Sequence, residues 1–509
     1  MEQTVNYGII SLLPIIITLT LAVWTRNVLF SLFVGLFTGV LILVGGNPIV
    51  ATKTMIESFL LEQMLDSYNV GIIILLVFIG GFVTLLEQSG GAEAFARSVS
   101  KFVNSQSKTQ LAAWLAGILV FFSELGTPLI VGPIFSPLFN RMKISKEKLA
   151  WILDTTSSPV CILIPFIGWG VYSMGLIQTE FDALGIQNIT DWTAFIRAIP
   201  FQFYAILCLI FVPMVAITKR EFGQMAVAEQ NASKGIFSTA EEGVKTKYND
   251  MITNTGVSPL VVIIPLVVLF GTLFGLLAPL GFPVKQVPGS QFRIALITGY
   301  LYAAITMIIL MAYYKVKSIW DGINTYLTGF SKLFSCIIML ILAWSLSSVG
   351  KQIGTSEYII AFARGNIPAF AVPAIIFILG AIMSFATGTS WGSFAIMFPI
   401  AIPMAISLGA PLYVTIAAVL SGGLFGDHCS PVSDTTILSA TAANCTLIDH
   451  MKTQLPYALI CGLISVVGYL LAGIFDSVVI TLVCVGLLFL TYYILSKTIG
   501  VKIDNYKEV

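Results

Sequence analysis

The chain has 509 residues, of which 57% are hydrophobic and only 10% are charged, and its mean hydropathy is +0.94. So few charges cannot cover the surface of a soluble domain of this length, which excludes an ordinary soluble protein. The formal net charge of +1 gives no indication of a nucleic-acid partner. Apolar runs of about 16 to 25 residues recur along the sequence and predict an all-α, multi-pass protein whose partner is the lipid bilayer of the cell membrane.

These runs predict about 11 transmembrane helices. Two further apolar segments, 108–140 and 367–409, are too long for one crossing and are interrupted halfway by polar residues. We interpret both as re-entrant hairpins, in which two half-helices enter and leave the membrane on the same side. The predicted spans are 8–25, 28–45, 70–87, 149–175, 193–217, 258–280, 293–313, 331–350, 411–435, 454–474 and 476–496.

Short motifs recur in the same order in the two halves of the chain. Internal duplication of this kind is typical of transporters. The matched residues are Gln88, Gly90, Glu93, Ala96 and Arg97 with Gln352, Gly354, Glu357, Ala363 and Arg364, followed by Ser157–Val160 with Cys429–Val432.

The distribution of lysine and arginine predicts that the two repeats have opposite orientations in the membrane. Most basic residues lie in the cytoplasm if the first hairpin opens inward and the second opens outward. The N-terminus is then outside and the C-terminus inside. The predicted organisation is a first inverted repeat at 1–217 with a broken helix at 149–175, a cytoplasmic linker at 218–256, a second repeat at 257–475 with a broken helix at 411–435, and an extra span with a cytoplasmic tail at 476–509.

The most informative motif is the run Gly426–Thr436, which follows the apolar stretch Pro411–Phe425. It places carboxylates and hydroxyls where a membrane span should continue. Lipid tolerates ionisable side chains and broken backbone only where protein or a water-lined cavity surrounds them. An unwound helix that carries acids is how secondary transporters build a cation site, so the motif predicts an ion-coupled transporter.

Inverted repeats bring the segments 123–128, 154–159, 387–392 and 426–436 together at mid-membrane. Freed carbonyls, hydroxyls and carboxylates form a hard-oxygen site suited to Na⁺, whereas histidine and cysteine are too few and scattered for a transition metal. Buried carboxylates that cap half-helices are the alternative interpretation of the aspartates. The candidate cation- or proton-binding residues are Asp427, Asp434, Asp154, Glu124, Ser158, Ser430, Ser433, Thr435, Thr127, Thr387 and Thr389.

Two of these acids have particular features in the sequence. Asp427 and Asp434 are seven residues apart, so both face one cavity if the segment is helical. Glu124 stands at a hairpin tip among apolar residues, where burial disfavours the charged form, and it is our candidate for proton exchange. A neutral, hydrogen-bonded glutamic acid that holds the tip is the alternative.

The histidines and aromatic residues near the breaks leave two interpretations each. His428 lies inside the motif and either links transport to pH or donates a structural hydrogen bond to a neighbouring carbonyl. His450 is interpreted as a loop residue. The aromatic residues that either line an organic-substrate pocket or serve as packing are Trp391, Trp169 and Tyr172.

At Gly426–Thr436 and Asp154–Pro159 the sequence resembles the NhaC family of sodium/proton antiporters, and the resemblance extends to about residue 475. It implies membership of a wider ion-transporter superfamily of homodimers with a static scaffold. It also implies a transport domain, at 108–217 and 367–474, that slides across the membrane as an elevator. Members of the family include sodium/proton antiporters, an organic-acid exchanger and sodium-coupled amino-acid carriers, so the resemblance does not select a substrate.

Two functions therefore stay open. The first is exchange of Na⁺ for H⁺ at a sodium site near Asp427 and Asp154, with both ions as transported species and no cofactor. The alternative is sodium-coupled transport of a small organic solute such as an amino acid or a carboxylate. An intramembrane enzyme is disfavoured because the sequence lacks His-Glu-x-x-His, is expected to have no Gly-x-Ser-x-Gly nucleophile elbow and has only two histidines. A channel is disfavoured by the duplicated hairpins and broken helices.

Overall fold

The computed structural model describes residues 7–100, 103–237, 257–282, 287–355, 358, 361 and 366–503. Nearly all of the regular structure in these residues is helical, which confirms the all-α prediction. Polar side chains begin many of the helices. Asn27, Asp66 and Ser105, for example, each accept a hydrogen bond from a backbone N–H of the first turn.

The first half of the chain runs from a short 3₁₀ turn, Gly8–Leu12, to the segment that links the two halves. A π-helical turn, Met55–Leu60, joins α3 to α4, and a 3₁₀ turn, Ile199–Phe201, precedes α13. The helices are α1 Leu13–Thr25, α2 Val28–Leu43, α3 Pro48–Thr54, α4 Leu61–Leu65, α5 Ser67–Gln88, α6 Gly91–Ser100, α7 Gln106–Leu119, α8 Gly126–Arg141, α9 Lys146–Thr155, α10 Ser158–Cys161, α11 Gly168–Ala183, α12 Asp191–Ala198 and α13 Phe203–Thr218.

The linker and the second half follow, with 3₁₀ turns at Ala278–Leu280, Phe330–Leu333 and Ala369–Ala371. Two short strands, β1 Arg220–Glu221 and β2 Val501–Lys502, pair antiparallel. The helices are α14 Gly223–Ser233, α15 Leu260–Leu277, α16 Gly289–Tyr313, α17 Ile319–Gly329, α18 Phe334–Gln352, α19 Val372–Thr387, α20 Ser390–Leu408, α21 Leu412–Cys429, α22 Asp434–Ala443, α23 Leu447–Phe475 and α24 Val479–Thr498.

Within the described residues, ten helices are long and apolar enough to cross a membrane, or up to twelve if each of two bent helix pairs is one span. This confirms a polytopic membrane protein. The arms of the second predicted hairpin, Ala369–Thr387 and Ser390–Leu408, are each 19 residues long, which is enough to cross alone. The arms of the first, α7 and α8, have 14 and 16 residues. Re-entry of either segment stays a prediction.

The breaks predicted in the helices occur, with different limits. The helix of the Gly426–Thr436 motif is intact through Cys429, so Asp427 and His428 are helical, and only 430–433 is unwound before α22 begins at Asp434. Asp427 and Asp434 therefore do not lie on one continuous helix. The first-repeat counterpart breaks at Thr156 and Ser157, between α9 and α10.

Part of the internal repeat is visible in the backbone. The matched helices α5 and α18 end at Gln88 and Gln352, and two residues later Gly90 and Gly354 have φ values of +68° and +75°. Glycine adopts this left-handed conformation without the steric cost that a Cβ would add. Three other matched positions, 357, 363 and 364, lie outside the described residues. The opposite orientation of the repeats stays a prediction.

The described part of the linker is packed against the helices. The α14 helix contacts α9 and α23, and the β1–β2 pair joins the start of the linker to the residues after α24. Glu221 and Glu229 in this segment are buried. Residues 238–256 of the predicted linker lie outside the described part of the chain.

Candidate ion-binding site

The motif helix and the tip of the second predicted hairpin meet at Asp427. The hydroxyl of Ser390, the first residue of α20, donates to Asp427 Oδ2 across 2.7 Å. The glycine at 388, with φ +69°, turns the chain from α19 into α20 close against the backbone of Val432. The chain packs so tightly here that Asp427 is 5% exposed and Ser390 is fully buried.

Glu124 lies at the tip of the first predicted hairpin and contacts the second. Trp391, which follows Ser390, donates its indole N–H to Glu124 Oε1 across 3.2 Å. The Ser157 hydroxyl, in the break between α9 and α10, donates to the Glu124 backbone carbonyl. Glu124 therefore joins one broken helix to the opposite hairpin tip.

Asp154, on the last turn of α9, is surrounded by polar groups from the second repeat. Its Oδ2 accepts from Gln454 Nε2 at 2.7 Å and from Thr436 Oγ1 at 3.3 Å, and it lies 3.3 Å from His450 Nε2. His428 Nε2 is 3.7 Å from the same oxygen, and the His428 Nδ1 shares a 2.7 Å hydrogen bond with the Tyr204 hydroxyl. Both histidines of the chain thus converge on one carboxylate.

Two pairs of consecutive residues connect the three acids. Ser390 and Trp391 contact Asp427 and Glu124 respectively, and Asp427 is followed by His428 beside Asp154. These contacts connect residues of the four polar interruptions, 123–128, 154–159, 387–392 and 426–436. The position of the cluster relative to the membrane midplane stays a prediction.

Each of the three carboxylates keeps one buried oxygen without a hydrogen-bond partner among the residues that the structure describes. These oxygens are Glu124 Oε2, Asp154 Oδ1 and Asp427 Oδ1. In the same described ranges, no lysine or arginine forms an ion pair with any of the three. A buried anion without compensation is costly, so these oxygens are positioned to hold a proton or a cation.

The predicted hydroxyl ligands divide by their contacts. Thr127 Oγ1 and Ser158 Oγ are buried and, within the described ranges, have no partner. Others are engaged: Thr387 donates to its own helix at Met383 O, and Ser430 donates to Phe385 O at 2.7 Å. The remaining candidates lie at the starts of two helices. At the start of α22, Ser433 and Thr435 share a 3.0 Å hydrogen bond and Asp434 is exposed in the first turn. Thr389 immediately precedes α20.

The interpretation of His450 as a loop residue was wrong. It lies in the first turns of α23, is fully buried and contacts Asp154. Gln454, one helical turn later on the same face, was missed as well. The signal was available in the spacing, since residues four apart on a helix share a face.

The expectation that the sequence has no Gly-x-Ser-x-Gly string was wrong, since Gly388 to Gly392 form one. In a hydrolase this pattern places a nucleophilic serine on a strand-to-helix turn beside a histidine. Here it joins two helices, and Ser390 donates to Asp427. The string therefore forms a hairpin tip and has no nucleophile geometry.

The three aromatic candidates pack together beside Glu124. The ring centroid of Trp391 is 5.3 Å from that of Trp169 and 4.9 Å from that of Tyr172, whose hydroxyl donates to the Trp391 backbone carbonyl. The Trp169 Nε1 is buried and directed at Glu124, without forming a hydrogen bond of normal geometry. This packing holds the Trp391 indole against Glu124.

Glu87, at the end of α5, connects the first hairpin tip to a neighbouring span. It accepts a 2.7 Å hydrogen bond from Ser123 Oγ and forms an ion pair with Lys332. Ser123 in turn accepts from the Gly126 N–H at the start of α8. These contacts fix the backbone on either side of Glu124.

A second charged cluster lies away from the three acids, where the linker meets α9. Lys148 forms a buried ion pair with Glu221, which also accepts from the Tyr457 hydroxyl at 2.5 Å. Glu229 accepts from the backbone N–H and hydroxyl of Ser145, which caps the N-terminus of α9. Burial raises the pKa of Glu229, which lies outside the candidate spans, to about 7, with Lys148 opposing the shift and Glu221 adding to it.

A polytopic helical fold with acids gathered at broken helices defines the class of secondary transporters. The model of the Na⁺/H⁺ antiporter family matches residues 1–166 and 160–474. The chain therefore belongs to the Na⁺/H⁺ antiporter family, which confirms the NhaC resemblance, and it is a multi-pass transporter of the cell membrane and not an enzyme.

Similar proteins include an uncharacterised protein of Haemophilus influenzae, 32% identical over 479 residues that cover 91% of this chain and 90% of that protein. The malate-2H⁺/Na⁺-lactate antiporter of Bacillus subtilis is 32% identical over 166 residues, covering 30% of this chain and 33% of its own. The solved structure of the Neisseria gonorrhoeae transporter MtrF shares the fold with a TM-score of 0.54 and 15% identity, covering 81% of this chain and 84% of its own.

Proposed function

We propose that the protein exchanges Na⁺ for H⁺ across the membrane. The observation that carries the proposal is the set of three buried carboxylates, Glu124, Asp154 and Asp427, each with an oxygen that no described group satisfies. Asp427, with Ser390 beside it, binds Na⁺. Glu124 binds the proton, because a protonated carboxyl is the form that an apolar tip favours.

Coupling follows from charge. A carboxylate that has taken up a proton no longer attracts Na⁺, so the two ions exclude each other at connected acids. Antiport then requires that only loaded forms of the protein cross between the two open states. We assign the crossing to an elevator movement of 108–217 and 367–474 against the other spans, in a homodimer.

Purified protein in vesicles with a trapped pH dye tests this function. An imposed Na⁺ gradient should change the internal pH with no organic solute present. Asp427→Asn should abolish the signal while the variant still elutes as a folded protein. Glu57→Gln is the matched control, because Glu57 is 65% exposed and pairs with Lys53 on the surface. Full exchange by Asp427→Asn would refute the role of Asp427.

Sodium-coupled transport of an organic solute is the second candidate function. It is favoured by the aromatic cluster of Trp169, Tyr172 and Trp391 beside Glu124. It is also favoured by the local similarity to an antiporter whose name includes malate, lactate, Na⁺ and H⁺. In the same vesicles this function requires that the Na⁺ gradient alone leave the internal pH unchanged and drive the uptake of a radiolabelled amino acid or carboxylate.

A further inference from the structure

Asp154 has an unequal distribution of partners between its two oxygens. Gln454, His450 and Thr436 all meet Oδ2, with His428 Nε2 also directed at it from 3.7 Å. Oδ1 has none in the described ranges, although the residue is only 1% exposed. A carboxylate accepts hydrogen bonds at both oxygens, so the empty side requires an explanation.

Gln454 presents a second empty acceptor at the same place. Its Nε2 donates to Asp154 Oδ2 at 2.7 Å and to the backbone carbonyl of His428 at 2.6 Å. Both of these partners are acceptors, which fixes the orientation of the amide, since a flipped amide would put two oxygens face to face. Gln454 Oε1 is thereby left without a donor in the part of the chain described, on a side chain that is 2% exposed.

An unsatisfied carboxylate oxygen and an unsatisfied amide oxygen, on side chains that touch, are both ligands for a hard cation. Asp154 also lies next to the break at Thr156 and Ser157, where Thr155 Oγ1 and Ser158 Oγ have no partner among the described residues. Buried glutamine oxygens elsewhere, such as Gln110 Oε1, are unsatisfied as well. What distinguishes Gln454 is its hydrogen bond to a buried carboxylate.

We propose that Asp154 and Gln454 form a monovalent-cation site that is separate from the Asp427–Ser390 site. Asp154 Oδ1 and Gln454 Oε1 are its side-chain ligands, and the hydroxyls at the break complete it. His450 acts as a positioning residue, because its ring contacts Oδ2 and leaves Oδ1 turned to the cation. The proposal rests on the proposed function only for the identity of the cation as Na⁺.

Equilibrium binding of ²²Na⁺ to purified protein in detergent, with choline replacing Na⁺ at constant ionic strength, tests the site. Gln454→Leu should bind one Na⁺ fewer per chain than the wild type, and so should Asp427→Asn, each through a different site. Gln110→Leu is the matched control and should bind as the wild type does. Equal binding by Gln454→Leu and the wild type would overturn the proposal.

A second variant keeps the test valid if Gln454→Leu fails to fold. The ammonium of Gln454→Lys donates to Asp154 and supplies a tethered positive charge in place of the ion. This variant should bind one Na⁺ fewer, and its melting temperature should rise less with added Na⁺ than that of the wild type. Stabilisation of the wild type by acid but not by Na⁺ would overturn the site in favour of a protonated Asp154.

The two proposals fail in distinguishable ways. If Gln454→Leu and Asp427→Asn each bind one Na⁺ fewer but the wild type shows no Na⁺-driven pH change in vesicles, the cation site is supported and Na⁺/H⁺ exchange is refuted. If the wild type exchanges Na⁺ for H⁺ but binds only one Na⁺ per chain, the proposed Asp154–Gln454 site is refuted and the proposed function is not.

Discussion

The hydroxyl of Ser390 lies 2.7 Å from Asp427 Oδ2, so the turn between α19 and α20 holds the acid of the broken helix that follows in the same repeat. The two elements are 37 residues apart in sequence, and each was interrupted by polar residues within an apolar run. Movement of either element alone would break the contact. A cation held at Asp427, as proposed above, would therefore move with a unit that contains both.

Ser390→Ala should weaken Na⁺ binding at Asp427. The hydroxyl stabilises the charged form of Asp427, which is the form that would bind Na⁺, and hydrogen bonds to charged groups contribute about 1.5–3 kcal/mol. Its loss therefore favours the protonated form and should raise the Na⁺ concentration that is needed by about tenfold or more. The Na⁺ concentration for half-maximal exchange in vesicles is the measurement. Ser393→Ala is the control, because the Ser393 hydroxyl is bonded to Thr389 O within its own helix. Equal half-maximal concentrations for Ser390→Ala and the wild type would contradict the contact's role.

The parts of the site that could be predicted from the sequence are those where charge or proline interrupts an apolar run. Asp427, Asp154 and Glu124 were selected as candidates in this way, because an acid in a membrane span is usually functional. Gln454 was missed because an uncharged amide at the start of an apolar span resembles an ordinary boundary residue. His450 was misplaced for the same reason, since its burial depends on α9 packing against α23.

Contacts between distant segments account for the other differences. The 218–256 segment was predicted to be a cytoplasmic linker, and in its described part Glu221 is buried against Lys148 and Tyr457. Charge count alone cannot distinguish a solvated segment from one whose charges are paired. In the motif, the polar residues predicted unwinding from Gly426. The helix instead continues through Cys429, and α21 packs against α19.

Glu229 should make stability depend on pH in a defined window. Its carboxyl has a folded-state pKa of about 7 against an ordinary 4.5, because burial disfavours the charge. As the pH rises, the unfolded chain therefore loses this proton before the folded protein does. The stability that the protonated Glu229 contributes is fully present below pH 4.5 and is lost as the pH rises to about 7. The melting temperature of the wild type should fall across this window relative to Glu229→Gln. Glu62→Gln is the control, because Glu62 is an exposed carboxylate. If the melting temperatures of the wild type and Glu229→Gln changed in parallel with pH, Glu229 would already be charged in the folded protein.

The buried ion pair between Lys148 and Glu221 should be strongly sensitive to removal of one partner. Lys148→Met leaves the Glu221 carboxylate buried with the Tyr457 hydroxyl as its remaining side-chain donor among the described residues, at a cost of about 3–5 kcal/mol. The double variant Lys148→Met/Glu221→Gln should recover part of this loss, because no unpaired charge remains. Thermal unfolding in detergent measures both.

An exposed pair provides the comparison for that experiment. Lys53 and Glu57 are 3.7 Å apart and are 77% and 65% exposed, so Lys53→Met should change stability by less than about 1 kcal/mol. If Lys148→Met were as mild as Lys53→Met, the linker would not depend on its ion pair to stay docked on α9.

The proposed elevator movement should stop when its two bodies are joined covalently. Gly392, on the second hairpin, packs so close to Val28 of α2 that a Cβ added to the glycine would lie 2.8 Å from the Val28 Cβ. Disulfides need Cβ atoms about 3.5–4.5 Å apart, so Val28→Cys with Gly392→Cys should form one after a small shift. Because cysteine is smaller than valine, the substitution at position 28 also makes room for the side chain that is added at position 392.

Oxidised Val28→Cys/Gly392→Cys protein should lose Na⁺-driven exchange in vesicles, and reduction should restore it. The seven native cysteines are buried and unpaired, so they compete little for the oxidant. Each single variant, treated with the same oxidant, controls for the substitutions themselves. Full exchange by protein in which the disulfide is complete would mean that α2 and the second hairpin move as one body, and the boundary between scaffold and transport domain would then have to lie elsewhere.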